Sequence, residues 1–224
     1  MTMTQPTTQK TSRSPHLDRV VLAHGGGGQL TDELIAQRFL PKLQNKTLAD
    51  FDDSALININ GSQIAFSTDS YVVQPLVFPG GDIGRLAVSG TINDLAVCGA
   101  KPLGISLGLI VEEGLELSLL DQIIESIAET SSEANVPVVT GDTKVVARGQ
   151  ADGIYINTSG VGVVPTDRAL GVSRIKPGDK LLISGSIADH GMAVMLARDE
   201  IASIRSNLAS DVAPLNAMIE ALLH

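Results

Sequence analysis

Five aspartates could carry chemistry, four where strand-like stretches begin or end and one inside a helical stretch. Asp52 and Asp53 precede a strand-like run, Asp69 follows Ala65-Phe-Ser-Thr, and Asp142 follows Val138-Val-Thr-Gly. Asp94 falls inside an apolar helical stretch between Ile92 and Leu95, four residues after Gly90. Hard divalent cations take oxygen ligands, and Mg²⁺ commonly keeps one or two carboxylates plus substrate phosphates, so segments that converge would build a metal and phosphate site. For Asp52, Asp53 and Asp142 the alternative is a helix-cap or turn role. Asp94 resists that reading, because a carboxylate on an apolar helix face is costly without a cation or a donor.

Lys144 lies two residues beyond Asp142, in Gly141-Asp-Thr-Lys144, where an ammonium group neutralises a phosphate as a point charge. A surface lysine pairing with Asp142 is the plain alternative. His24-Gly-Gly-Gly-Gly-Gln29 precedes a helix, so the amides of Gly25, Gly26, Gly27 and Gly28 can wrap a phosphate. The run matches neither a dinucleotide-binding nor a P-loop pattern, Asp32 and Glu33 oppose an anion unless a metal intervenes, and a plain flexible loop is the alternative. His190, in Asp189-His-Gly191, is either an acid–base group or a structural histidine near a helix cap. Glu112-Glu-Gly114 reads as a solvated turn, and Cys98, on the Asp94 face of its helix, as a small core residue.

The wider composition narrows the partners. Among 224 residues, 43% are hydrophobic and 18% charged, so the chain buries a sizeable core. Four Phe, two Tyr and no Trp make that core aliphatic and argue against stacking platforms for nucleic acid. The net charge of −9 argues against polyanion binding as well. The acids concentrate in the middle: residues 47–100 hold six Asp against the one base Arg85. A lone cysteine, no signal-like N-terminus and no membrane-length apolar run give the expectation of a soluble cytoplasmic protein.

The elements that must position these residues alternate. Strand-like runs occupy Val20–Leu22, Ala55–Ile59, Gln63–Ser67, Tyr71–Phe78, Leu103–Val111, Val136–Thr140 and Ile154–Val164, with Asn60-Gly61 as a hairpin turn. Helical patterns cover Leu30–Leu40, Ile83–Cys98, Leu117–Ala134, His190–Arg198 and Pro214–Leu223. The expected organisation is a flexible arm (1–18), an α/β or α+β domain (19–165), a linker (166–178) and the incomplete start of a second α/β domain (179–224), with a new strand at Lys180–Ser184.

In combination, His24–Gln29, Phe66-Ser-Thr-Asp-Ser-Tyr71, Phe78-Pro-Gly-Gly81, Asn93-Asp-Leu-Ala-Val97 with Gly99-Ala100, Glu112–Leu115 and Val139-Thr-Gly-Asp-Thr-Lys-Val-Val146 resemble the HypE family of hydrogenase maturation proteins. That family is the carbamoyl dehydratase of [NiFe]-hydrogenase assembly, in the aminoimidazole ribonucleotide synthetase-like superfamily. The resemblance implies a mixed sheet with flanking helices and ATP-dependent chemistry. A carbamoyl group, delivered by the carbamoyltransferase HypF to a C-terminal cysteine, is phosphorylated on oxygen and loses phosphate to leave a thiocyanate, whose cyano group passes to iron on the HypC–HypD scaffold.

It also implies a homodimer through the N-terminal domain, with ATP and Mg²⁺ beside the interface. By resemblance Asp53, Asp69, Asp94 and Asp142 are the metal acids. Asp52, Asp69, Thr143, Lys144 and the Gly25–Gly28 loop contact the nucleotide, and Lys144, Asp94 and His190 carry catalytic roles. The family's chain continues to a Pro-Arg-Ile-Cys tail, whereas this sequence ends at Leu222-Leu-His224. The expectation is therefore a truncated chain that does not complete dehydration alone. A non-catalytic ATP-binding dimerisation module and a thiamine-monophosphate kinase-like enzyme are the alternatives.

Overall fold

In the computed structural model residues 19–48, 52–168, 170–171, 174–198 and 207–223 are described. The expected arm at 1–18 lies outside them. The chain divides into two compact units, 1–49 and 50–224.

In the first unit, the expected strand at Val20–Leu22 is replaced by a 3₁₀ turn, Leu22–Gly25, because no other strand is present among the described residues of this unit to pair with it. The helix expected at Leu30–Leu40 forms as α1 (Gln29–Leu34), a π-helical stretch Ile35–Phe39 and α2 (Leu40–Leu43).

The second unit is built on a five-stranded mixed sheet in the order β1-β2-β7-β5-β6. β1 (Ala55–Ile59) and β2 (Ser62–Tyr71) form the expected hairpin, with Asn60 and Gly61 both at positive φ as a two-residue turn requires. β5 (Lys101–Glu112), β6 (Val138–Val146) and β7 (Ile154–Val164) complete it; β5 and β6 run parallel, joined by α4 (Leu117–Ala134), and β5 and β7 antiparallel. The strand expected to run through Tyr71–Phe78 breaks after Tyr71. Pro75 has no N–H for a ladder, and only Val77–Phe78 (β3) and Gly81–Asp82 (β4) pair again, as a small separate ribbon.

α3 (Ile83–Val97), capped by the Asp82 carboxylate accepting from Arg85 N, lies with α4 on one face of the sheet. Ile83, Val88, Ile92, Ile105, Ile123, Ile154 and Ile156 fill the layer between them, an aliphatic core as the composition requires. The period-two burial of β7 reports the asymmetry directly: Ile154, Ile156, Thr158, Gly160, Gly162 and Val164 face the helices, and the residues between them face the other way.

α5 (Asp189–Ala197) and α6 (Asn216–Leu222) follow. The strand expected at Lys180–Ser184 does not form. Leu181 and Leu182 are 94% and 81% exposed, since no described strand is offered for them to pair with. No helix among the described residues is long and apolar enough to cross a membrane.

Candidate functional site

Alternation along β2 brings Ser67, Asp69 and Tyr71 to the helix-covered face, under α3. There Asp94 meets them. The Ser67 hydroxyl stands 3.0 Å from Asp94 Oδ2 and 3.0 Å from the main-chain oxygen of Asp53, while Ser54 Oγ donates to the Asp94 carbonyl at 3.1 Å. Three segments remote in sequence, 52–54, β2 and α3, thus meet at Asp94, β2 at its carboxylate and 52–54 at its main-chain carbonyl. Burial, and then the charges of Asp69 and Asp53, push the Asp94 carboxyl up to about 6, against the pull of its Ser67 hydrogen bond.

Tyr71 closes this group from the core side. Its Oη lies 3.2 Å from Thr91 Oγ1, which pairs with the Thr158 hydroxyl, which in turn stands 3.3 Å from Ala87 O. Burial, with the Asp69 and Asp94 charges adding to it, holds the phenol well above its usual range. At the far end of α3 Cys98 is half-buried beside Ser54, and burial pushes its thiol up.

Asp142 stands elsewhere. It falls inside β6 rather than at a strand end, and the register places Ser70, Asn157, Gly108 and Asp142 side by side across β2, β7, β5 and β6. These residues face away from α3. Four strands at their usual spacing put Ser70 and Asp142 roughly 14 Å apart. A cavity of about 370 Å³ opens along this row, lined by Ser70, Gly108, Asp142, Lys144, Tyr155 and Asn157. Lys144 Nζ is 2.6 Å from Asp142 Oδ2 in an exposed pair that holds the Asp142 carboxyl below its usual range.

The expected residues are therefore grouped as follows. Asp52, Asp53, Asp69 and Asp94 share the helix face and its margin; Asp142, Thr143 and Lys144 belong to edge strand β6, with Asp142 and Lys144 on the opposite face. Among the described residues no three His, Cys, Asp or Glu side chains are gathered closely enough to hold a metal ion as they stand. The glycine loop belongs to the first unit, where Gly28 precedes α1 and Gly27 N donates to Thr31 Oγ1 at 3.0 Å. His190 packs edge-on against Phe78, with Nδ1 3.0 Å from Ser210 Oγ and its amide donating to Asp211. None of these contacts is with another of the expected site residues. Ser54, Ser67, Tyr71 and Asn157 were not among the expected residues. For Ser67 and Tyr71 the signal was present, since they flank Asp69 at two-residue spacing on a strand.

This fold defines a class. The chain belongs to the AIR synthase related protein family, whose N-terminal domain matches residues 51–164. Within that class it is similar to HypE proteins. Carbamoyl dehydratase HypE of Rhodobacter capsulatus is 47% identical over 201 residues, which are 88% of this chain and 58% of that protein. The chain thus spans less than two thirds of the length of that relative. A crystal structure of a HypE–HypF complex superposes with a TM-score of 0.79 at 47% identity, covering 88% of this chain and 62% of the other. A structure of hydrogenase maturation protein HypE in complex with ATP gives 0.68 at 43% identity, covering 92% and 61%. Thiamine monophosphate kinase from Aquifex aeolicus, at 18% identity and a TM-score of 0.62, shares the fold alone.

Proposed function

We propose that this chain supplies the ATP-binding, dimer-forming part of a HypE-type carbamoyl dehydratase acting in the cytoplasm. The observation that carries the reading is the convergence of Asp53, Asp69 and Asp94 around Ser67 in a chain so similar to HypE proteins, one of which has been solved with ATP. The charges of the exposed Asp53 and Asp69 oppose that of half-buried Asp94, and among the described residues the Ser67 hydroxyl is what offsets it. Among the described residues no three such side chains stand close enough to hold a cation alone, but one or two carboxylates completed by phosphate oxygens are the donors Mg²⁺ takes, and it would neutralise phosphate charge there.

Lys144, with Asp142 and Thr143, is the candidate for phosphate contact from β6. In the reaction the thiocarbamate oxygen attacks the γ-phosphorus and ADP leaves; loss of phosphate and of the two N–H protons then yields the thiocyanate. The work falling to this chain is positioning and charge neutralisation. HypF, as donor of the carbamoyl group, and the HypC–HypD scaffold, as acceptor of the cyano group, are the proposed partners.

Dimerisation is supported by the sheet itself. The face away from the helices carries the exposed Ile57, Ile59 and Phe66, and the outer edges of β1 and β6 pair with no described strand. A second copy of this chain is the proposed cover.

Calorimetric titration of Mg-ATP into the wild type, Asp94→Asn and Lys144→Ala tests the site. Affinity falls at least tenfold in each variant if both faces contribute; equal affinity in all three chains overturns the assignment.

A further inference from the structure

Ser67 is 4% exposed, on the same inward stripe of β2 as the fully buried Ala65. A hydroxyl at so buried a position is costly unless bonded, so it calls for a reason. Its surroundings give one. Both atoms facing it, Asp94 Oδ2 and the Asp53 carbonyl oxygen at 3.0 Å each, are acceptors, so its single hydrogen is shared between the main chain of one acidic segment and the carboxylate of another. Ser54, also 4% exposed, adds the bond to the Asp94 carbonyl, so the 52–54 segment is tied to α3 at two points.

We propose that Ser67 is a positioning residue: it fixes the Asp94 carboxylate relative to the Asp53 segment, so that an arriving cation meets one carboxylate already held in place. This rests on the cation site proposed above. Groups that orient a ligand side chain without touching the metal typically change metal affinity 10- to 100-fold. The role therefore predicts a defect in cation binding, with nucleotide affinity in the absence of cation untouched.

The test uses the full chain with Ser67→Ala and Ser67→Thr, the latter keeping the hydroxyl. Mn²⁺ binding is read by electron paramagnetic resonance, and ATP binding in EDTA by calorimetry. The expected result is at least a tenfold loss of Mn²⁺ affinity in Ser67→Ala, recovery in Ser67→Thr, and ATP binding in EDTA equal in all three chains. Mn²⁺ affinity within twofold of wild type in folded Ser67→Ala overturns the proposal. So does an equal loss of ATP binding in EDTA, a loss in Ser67→Thr as large as in Ser67→Ala, or an alanine variant that fails to fold, each of which marks a purely structural residue. Absence of Mn²⁺ binding by the wild type overturns the underlying cation site instead.

Discussion

The Tyr71 hydroxyl occupies the space that a side chain at Gly90 would fill, so that a Cβ built on Gly90 overlaps the phenol oxygen. Gly90 is one turn before Asp94 on α3, and Tyr71 is two residues after Asp69 on β2, so the missing side chain sets how closely the two acid-bearing elements approach. Gly90→Ala forces Tyr71 off Thr91 and overpacks a buried interface, a change that costs about 1–3 kcal/mol. Denaturant unfolding should show that loss. Gly90→Ala with unchanged stability would contradict the packing described for Tyr71.

Lys144 behaves oppositely. Its ion pair with Asp142 is short but exposed on both sides, and exposed pairs add little to stability. Lys144→Ala should leave the melting temperature where it is while weakening ATP binding at least tenfold. A melting temperature that falls along with the affinity would mean the lysine is structural and not a phosphate contact.

Much of the fold is legible in the sequence, for reasons that differ by residue. Asn60-Gly61 announces its hairpin because few residues tolerate positive φ, and α4 shows an apolar stripe from Leu119 to Ala128. Asp94 is legible because a carboxylate between Ile92 and Leu95 has few bland explanations. The division of the acids between two faces is not. It depends on the pairing of β5 with both β6 and β7, a long-range register that alternation within one strand does not reveal. Nor are the contacts of His190 legible, because Phe78, Ser210 and Asp211 come to it from other segments. The strand expected at Lys180–Ser184 fails for a related reason: a short apolar run proposes a strand, but a partner strand decides it.

Glu112 gives a pH dependence with a definite sign. Its carboxylate accepts from the amides of Gly149 and Gly153, which hold it below its usual range. A depressed acid binds fewer protons folded than unfolded, so its contribution is complete above the ordinary glutamate value near 4.5 and is lost as pH falls through the lower folded value. Hydrogen exchange at Gly149 and Gly153 should therefore accelerate below pH 4.5, after correction for intrinsic rates. Glu112→Gln should show the faster exchange already at neutral pH. Equal protection in the two proteins at pH 7 would remove Glu112 as the anchor of this loop.

The open sheet face supplies the last prediction. Ile57 and Phe66 lie 42% and 44% exposed on the face opposite α3, and the helix layer leaves them uncovered. Apolar side chains on an uncovered sheet face favour association, and an aspartate placed among them opposes it through the cost of burying a charge. Phe66 sits on the same strand as Asp69, three residues away and on the other face, so its side chain does not point at the acids. Sedimentation velocity should give a dimer for the wild type and a monomer for Phe66→Asp, with far-ultraviolet circular dichroism unchanged. If dimerisation also orders the nucleotide site, as an interface beside it would, the monomeric variant loses Mg-ATP affinity although no site residue has been altered. A monomeric wild type, or a Phe66→Asp chain that remains dimeric, rules this face out as the interface.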